Sequence, residues 1–129
     1  KHHLIFDGTM EKFPTLKIFV AHGGGYLPAY SGRIDHAWGA RPDCRGYDLK
    51  YKPSHYLKRM YFDTVVFSFD QLKYLIDKFG SDHIIMGTDY PYDMAEDDPI
   101  EHVIGTKGLT KDDIEKITGS NACSLFKIS

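Results

Sequence analysis

His22 stands directly after the apolar run Lys17-Ile18-Phe19-Val20-Ala21 and directly before Gly23-Gly24-Gly25. A second apolar run, Tyr61 to Phe67, carries Asp63 and Thr64 in its body and leads to Ser68. A third, His83 to Gly87, runs into Thr88-Asp89-Tyr90-Pro91. An imidazole and a carboxylate at the ends of apolar runs are the residue types that ligate metals or move protons. Glycines beside them let a substrate approach the backbone closely. Each residue also has a plainer reading. His22 could be a hydrogen-bonded structural residue, and Asp89 before Tyr-Pro could simply cap a turn. The three glycines lack GxGxxG spacing and give no dinucleotide signature. Asp93, Glu96, Asp97 and Asp98 read as a solvated loop face without EF-hand spacing. His2 and His3 read as a tag remnant or mobile end, and His36, His55, His83 and His102 as surface or packing residues.

The elements that would position these groups follow from the hydrophobic pattern. A helix is expected over Leu4 to Phe13, weakened by Gly8 and ended by Pro14. A buried strand is expected at Lys17 to Ala21, then a helix from Tyr26 through Trp38 that stops at Gly39. Residues 40–53 read as a long polar loop. Beyond it come a short helix from Pro53 to Met60, a strand from Tyr61 to Phe67, and a helix from Asp70 to Phe79 burying Leu72, Leu75, Ile76 and Phe79, with Gly80 past its end. A third buried strand covers His83 to Gly87 and an acidic loop Tyr90 to Asp98. Thr110 starts a helix, and a last one runs from Asn121 to Ile128. Continuous rather than alternating apolar strands, separated by helices, predict an α/β fold with a parallel sheet covered on both faces. In such sheets ligands bind at the carboxyl ends of the strands, where His22 and Asp89 fall.

Composition narrows the function classes. The 129 residues balance 16 basic against 18 acidic side chains, so no global field favours nucleic acid or an anionic membrane. No apolar run approaches bilayer-spanning length. Cys44 and Cys123 lie far apart, outside any CxxC or Cys/His cluster, and read as free thiols of a soluble, cytoplasmic protein. The chain is expected to be one partial domain over 1–129, and Lys rather than Met at position one suggests a piece of a longer protein.

Taken in order, Phe13-Pro14-Thr15-Leu16-Lys17-Ile18, Ala21-His22-Gly23-Gly24-Gly25, Gly32-Arg33-Ile34, Arg41-Pro42-Asp43, Tyr61-Phe62-Asp63-Thr64 and Gly87-Thr88-Asp89-Tyr90-Pro91 resemble the amidohydrolase-related family that includes aminocarboxymuconate semialdehyde decarboxylase and γ-resorcylate decarboxylase. The similarity extends from Leu4 to Phe126, and Asn121-Ala122 to Phe126 looks like the family's final helix. The resemblance implies a metal-dependent (β/α)8 barrel of the TIM type, of which this chain would be the C-terminal portion, about the last three β/α units. It implies that His22 is an acid/base or orienting group beside the metal and that Asp89 is a metal ligand. It implies that Arg33 binds a substrate carboxylate across a dimer interface, a task suited to its two parallel N–H donors.

The expected function is therefore decarboxylation of a small aromatic or unsaturated carboxylic acid by a homo-oligomeric parent enzyme using a divalent metal, with zinc the expected ion. A hydrolase or hydratase of the same superfamily is the first alternative, and a non-catalytic, self-associating half-barrel the second. The family's His-x-His strand and middle-strand histidine have no counterpart here, and adjacent His2 and His3 would point to opposite faces of a strand. A barrel needs about 250 residues. The isolated chain is thus expected to be inactive and to hold metal weakly or not at all.

Overall fold

Gly8 adopts a left-handed backbone (φ 73°), and the ring of Tyr47 fills the space a side chain there would need. In the computed structural model, which describes residues 2–128 apart from the His2 side chain, the expected N-terminal helix is consequently split into α1 (His2–Phe6) and α2 (Thr9–Lys12). The expectation of a mobile end at His2 concerns a side chain outside the described residues. His3 is helical, with Nδ1 3.2 Å from Asp7. Contacts gather in two compact units, one holding Tyr26–Met60 with the residues before Phe19, the other Phe19–Gly25 with the residues after Met60.

The first unit adds α3 (Leu27–Ala40) and α4 (Pro53–Leu57). Pro28 sits in the first turn of α3 as expected. The helix runs through Gly39 instead of stopping there, and ends where Arg41, ahead of Pro42, turns extended. Between α3 and α4 the chain is irregular apart from one 3₁₀ turn, Pro42–Cys44, as the polar composition predicts. Asp35 on α3 accepts hydrogen bonds from the Ser54 amide (2.9 Å) and hydroxyl (2.7 Å) on α4. Tyr56 is buried and donates its hydroxyl to Glu11; burial and that bond both push its phenol up from the usual range.

The second unit holds three parallel strands in the order β1 (Phe19–Val20), β2 (Tyr61–Asp63), β3 (Ile84–Ile85). They are shorter than their apolar runs. After Asp63 the chain folds back on itself, the Val66 amide donating to the Thr64 carbonyl at 2.8 Å and Phe67 turning to φ 54°. Nor is the sheet covered everywhere: Phe19, on edge strand β1, stays 40% exposed beside Phe126. Helix α5 (Phe69–Phe79) matches expectation, with the Ser68 hydroxyl accepting from the Gln71 amide, Gly80 at φ 91° past its end, Leu72, Leu75 and Ile76 buried, and Phe79 against Phe62. Helix α6 (Pro99–Gly105) was not expected; Asp98 caps it by accepting from the Glu101 amide. Helices α7 (Lys111–Glu115) and α8 (Asn121–Phe126) are joined by a π-helical stretch, Lys116–Ser120, into one rod rather than two separate helices. Asn121 fastens that rod to the sheet, donating from Nδ2 to the carbonyls of Ser81 and Ile84, both at 2.7 Å. Among the described residues, no helix is long and apolar enough to cross a membrane.

The start of α7 yields a pH prediction. Thr110 and Asp113 form a capping box, and hydrogen bonds from Ser81 and Thr110 hold the Asp113 carboxyl down at about 2, below its ordinary 3.8. A depressed carboxylate stabilises the fold above its unfolded value and stops doing so as it protonates in the folded state. Asp113→Asn is expected to lower the thermal midpoint at neutral pH, the deficit shrinking as pH falls through 3.8 towards 2. Paired melts at neutral and acid pH check this.

Candidate active site

The sheet register aligns the carboxyl ends of the three strands: Val20 pairs with Phe62, and Asp63 with Ile85. His22, two residues beyond β1, and Asp89, four beyond β3, converge over this edge, with His22 Nε2 3.4 Å from Asp89 Oδ1. The imidazole is 64% exposed and the Asp89 side chain 25%, so a ligand can reach both. Both residues have left-handed backbones, φ 58° and 64°. For a residue bearing a Cβ this costs roughly 1–2 kcal/mol, and it persists only where the surroundings impose it.

The end of β2 imposes it. Asp63 is buried, and its carboxylate accepts from the amides of His22 (2.8 Å) and Gly23 (2.7 Å) after β1 and of Val65 (3.1 Å) on its own strand. The next residue, Thr64, reaches the other way. Its hydroxyl oxygen accepts from the Gly87 amide at 3.2 Å and lies 3.4 Å from the Gly87 carbonyl oxygen. One dipeptide thus braces the turn that carries His22 and the segment that leads to Asp89. Gly87 lies so close to this brace that an added Cβ would fall 3.2 Å from Asp63 Cβ. Beyond it, the Thr88 hydroxyl, rather than the Asp89 carboxylate, accepts from the Tyr90 amide and caps the turn.

Of the residues singled out by sequence, the structure brings His22 and Asp89 together. Arg33 lies exposed on α3 in the other unit. The acidic loop is only partly a solvated face: Glu96 is tucked in, its side chain 20% exposed and 3.1 Å from His102 Nδ1. His102 is buried on α6 with a carboxylate partner, a pairing that six-residue spacing does not advertise. In the sequence, Asp63 and Thr64 stand out only as polar residues inside an apolar run, and nothing local marks them as the brace. Among the described residues, no group of three His, Cys, Asp or Glu side chains converges as a metal site.

Comparison with known proteins decides the family: the amidohydrolase family model matches residues 1–128. The chain belongs to the amidohydrolase family. It is 34% identical over 119 residues to 2-amino-3-carboxymuconate-6-semialdehyde decarboxylase of Dictyostelium discoideum, covering 92% of this chain and 33% of that protein. To γ-resorcylate decarboxylase of Polaromonas sp. it is 30% identical, covering 98% of this chain and 39% of that protein. Among solved structures, 5-carboxyvanillate decarboxylase of Sphingomonas paucimobilis superposes with a TM-score of 0.87 at 30% identity, over 99% of this chain and 38% of that one. A dihydroxybenzoic acid decarboxylase from Polaromonas, solved with bound manganese and 2-nitroresorcinol, superposes with a TM-score of 0.83 at 31% identity, over 98% of this chain and 38% of that one. The amidohydrolase chain therefore spans about a third of the length of the curated relatives it matches. Its three parallel strands and their helices are the expected C-terminal part of the amidohydrolase barrel.

Proposed function

We propose that the chain is the C-terminal part of a metal-dependent decarboxylase, a carbon–carbon lyase acting on a small aromatic or unsaturated carboxylic acid. The observation that carries this reading is the 3.4 Å approach of His22 to Asp89 at the strand ends, in a chain whose relatives are named as decarboxylases of such acids. In this reading Asp89 is a metal ligand, His22 an acid/base group and Arg33 the group that holds the substrate carboxylate. A carboxylate with a neighbouring imidazole suits zinc, the ion we propose, and equally manganese, the ion in the Polaromonas structure. The remaining ligands would come from the rest of the parent protein. When bound, the cation would stabilise negative charge developing on substrate oxygens.

Decarboxylation breaks the bond between carbon and carboxylate, releases CO2 and leaves an electron pair that must take a proton. In this reading His22 delivers it, its ring open to solvent and its Nε2 3.4 Å from Asp89 Oδ1. Arg33, exposed and with five donors in a fixed fork, would grip a carboxylate in two parallel bonds. A dimeric, cytoplasmic parent in which Arg33 serves the partner's site completes the proposal.

The test is metal binding by the full-length protein. Asp89→Asn keeps the side-chain shape and tolerates a left-handed backbone, yet removes the charge. It is expected to weaken zinc and manganese binding at least about tenfold with the circular dichroism spectrum unchanged. Unchanged metal affinity would remove Asp89 from the ligand set.

A further inference from the structure

Asp89 sits at the start of a loop with little apolar anchorage of its own: Tyr90, Tyr92 and Met94 are 83%, 70% and 67% exposed. The loop is nevertheless closed at its base, where the Glu96 amide donates to the carbonyl of Thr88, the residue before Asp89, at 2.7 Å. The Glu96 carboxylate, in turn, lies 3.1 Å from Nδ1 of His102.

We propose that His102 is a positioning residue for Asp89, acting through Glu96. His102 is fixed from several sides. It is only 7% exposed, its amide donates to the Asp98 carbonyl (3.1 Å), its carbonyl accepts from the Thr106 hydroxyl (2.8 Å), and the Phe69 ring stands edge-on to the imidazole at 5.5 Å. Burying an imidazole is unfavourable unless its nitrogens are bonded. Here Nε2 is buried without a partner, so the Glu96 contact is the one that justifies a ring in this place. The bond requires the ring N–H on Nδ1, donating to the carboxylate. It holds Glu96, whose amide holds the Thr88 carbonyl, and Asp89 follows directly. A leucine would fill a similar volume beside Phe69 but could not hold Glu96.

This inference rests on Asp89 being a metal ligand, and the experiment separates the two. In the full-length protein, His102→Leu, His102→Asn and Glu96→Ala are compared by hydrogen exchange at the Glu96 amide, manganese affinity and thermal midpoint. His102→Leu is expected to cut protection of that amide at least about tenfold and to weaken manganese binding about 10–100-fold, with the midpoint retained. His102→Asn, which keeps an N–H near the Nδ1 position, is expected to restore most of both. Combining His102→Leu with Glu96→Ala is expected to cost no more than either alone. Unchanged manganese affinity in His102→Leu, or no rescue by His102→Asn, overturns the proposal. If the wild-type protein binds no manganese but His102→Leu still strips the amide of protection, the hold on the Asp89 loop stands and the ligand assignment falls. If His102→Leu changes neither amide protection nor manganese affinity, the positioning role falls and Asp89 stays in the ligand set.

Discussion

Replacing Asp63 with alanine is expected to cost about 3–5 kcal/mol of stability, the range for leaving several buried donors unsatisfied. Its carboxylate satisfies the amides of His22, Gly23 and Val65 at 2.7–3.1 Å, and a buried amide without a partner costs about 1–3 kcal/mol. Asp63→Asn discriminates between charge and shape. It keeps one acceptor but turns an amide donor towards an amide donor, so it is expected to recover only part of the loss. Thr64→Val removes the paired contacts with Gly87 and is expected to cost about 1 kcal/mol. Denaturant unfolding checks the series, as a drop in midpoint at constant slope. The His22 turn would then keep only its backbone bonds, Gly24 amide to Ala21 carbonyl and Gly25 amide to His22 carbonyl, and if His22 is the proposed acid/base group, displacing it by about 1 Å can cost about a hundredfold in rate.

Gly23→Ala is expected to be nearly as damaging, at about 2–5 kcal/mol for backbone strain plus overpacking. Gly23 has φ 56°, and a Cβ there would lie 2.4 Å from Val66 Cγ1 and 3.1 Å from Leu75 Cδ1. The overlap is with the stiff β-branched side chain of half-buried Val66, so it cannot be relieved by a swinging terminus. Val66→Ala in the same chain is expected to recover about 1–2 kcal/mol, and the double-mutant cycle measures that coupling. Additive losses would show that backbone conformation alone forbids alanine.

The parts of the fold legible in the sequence were those governed by local chemistry. Apolar runs bounded by Gly, Pro and Ser marked the three strands and α5, including the Ser68 cap and Gly80 stop. The placement of His22 and Asp89 at strand ends followed from the parallel α/β pattern, and the approach of the two side chains is observed. What was not legible depended on residues distant in sequence. Gly8 takes a left-handed backbone that breaks the helix, and the distant Tyr47 ring fills the space a side chain there would need. Asp63 braces amides 40 and 41 residues upstream, which no local pattern announces. Helix α6 carried a readable signal, Asp98 before Pro99, but the acidic composition of the preceding loop obscured it. His102 looked like any surface or packing histidine because its partner Glu96 lies six residues before it, outside helix α6, at a spacing no helical or strand period advertises.

In the proposed metal-dependent decarboxylation, His22 delivers the proton. Its test uses the full-length protein, loaded with zinc or manganese and given a panel of small aromatic and unsaturated acids carrying a ¹³C-labelled carboxylate, with labelled CO2 as the readout. Metal-dependent release of the label is expected, falling about 10²–10⁴-fold in His22→Asn with the fold retained. Release within a few-fold of wild type in that variant, or turnover that leaves the label in a hydrolysed or hydrated product, would contradict it.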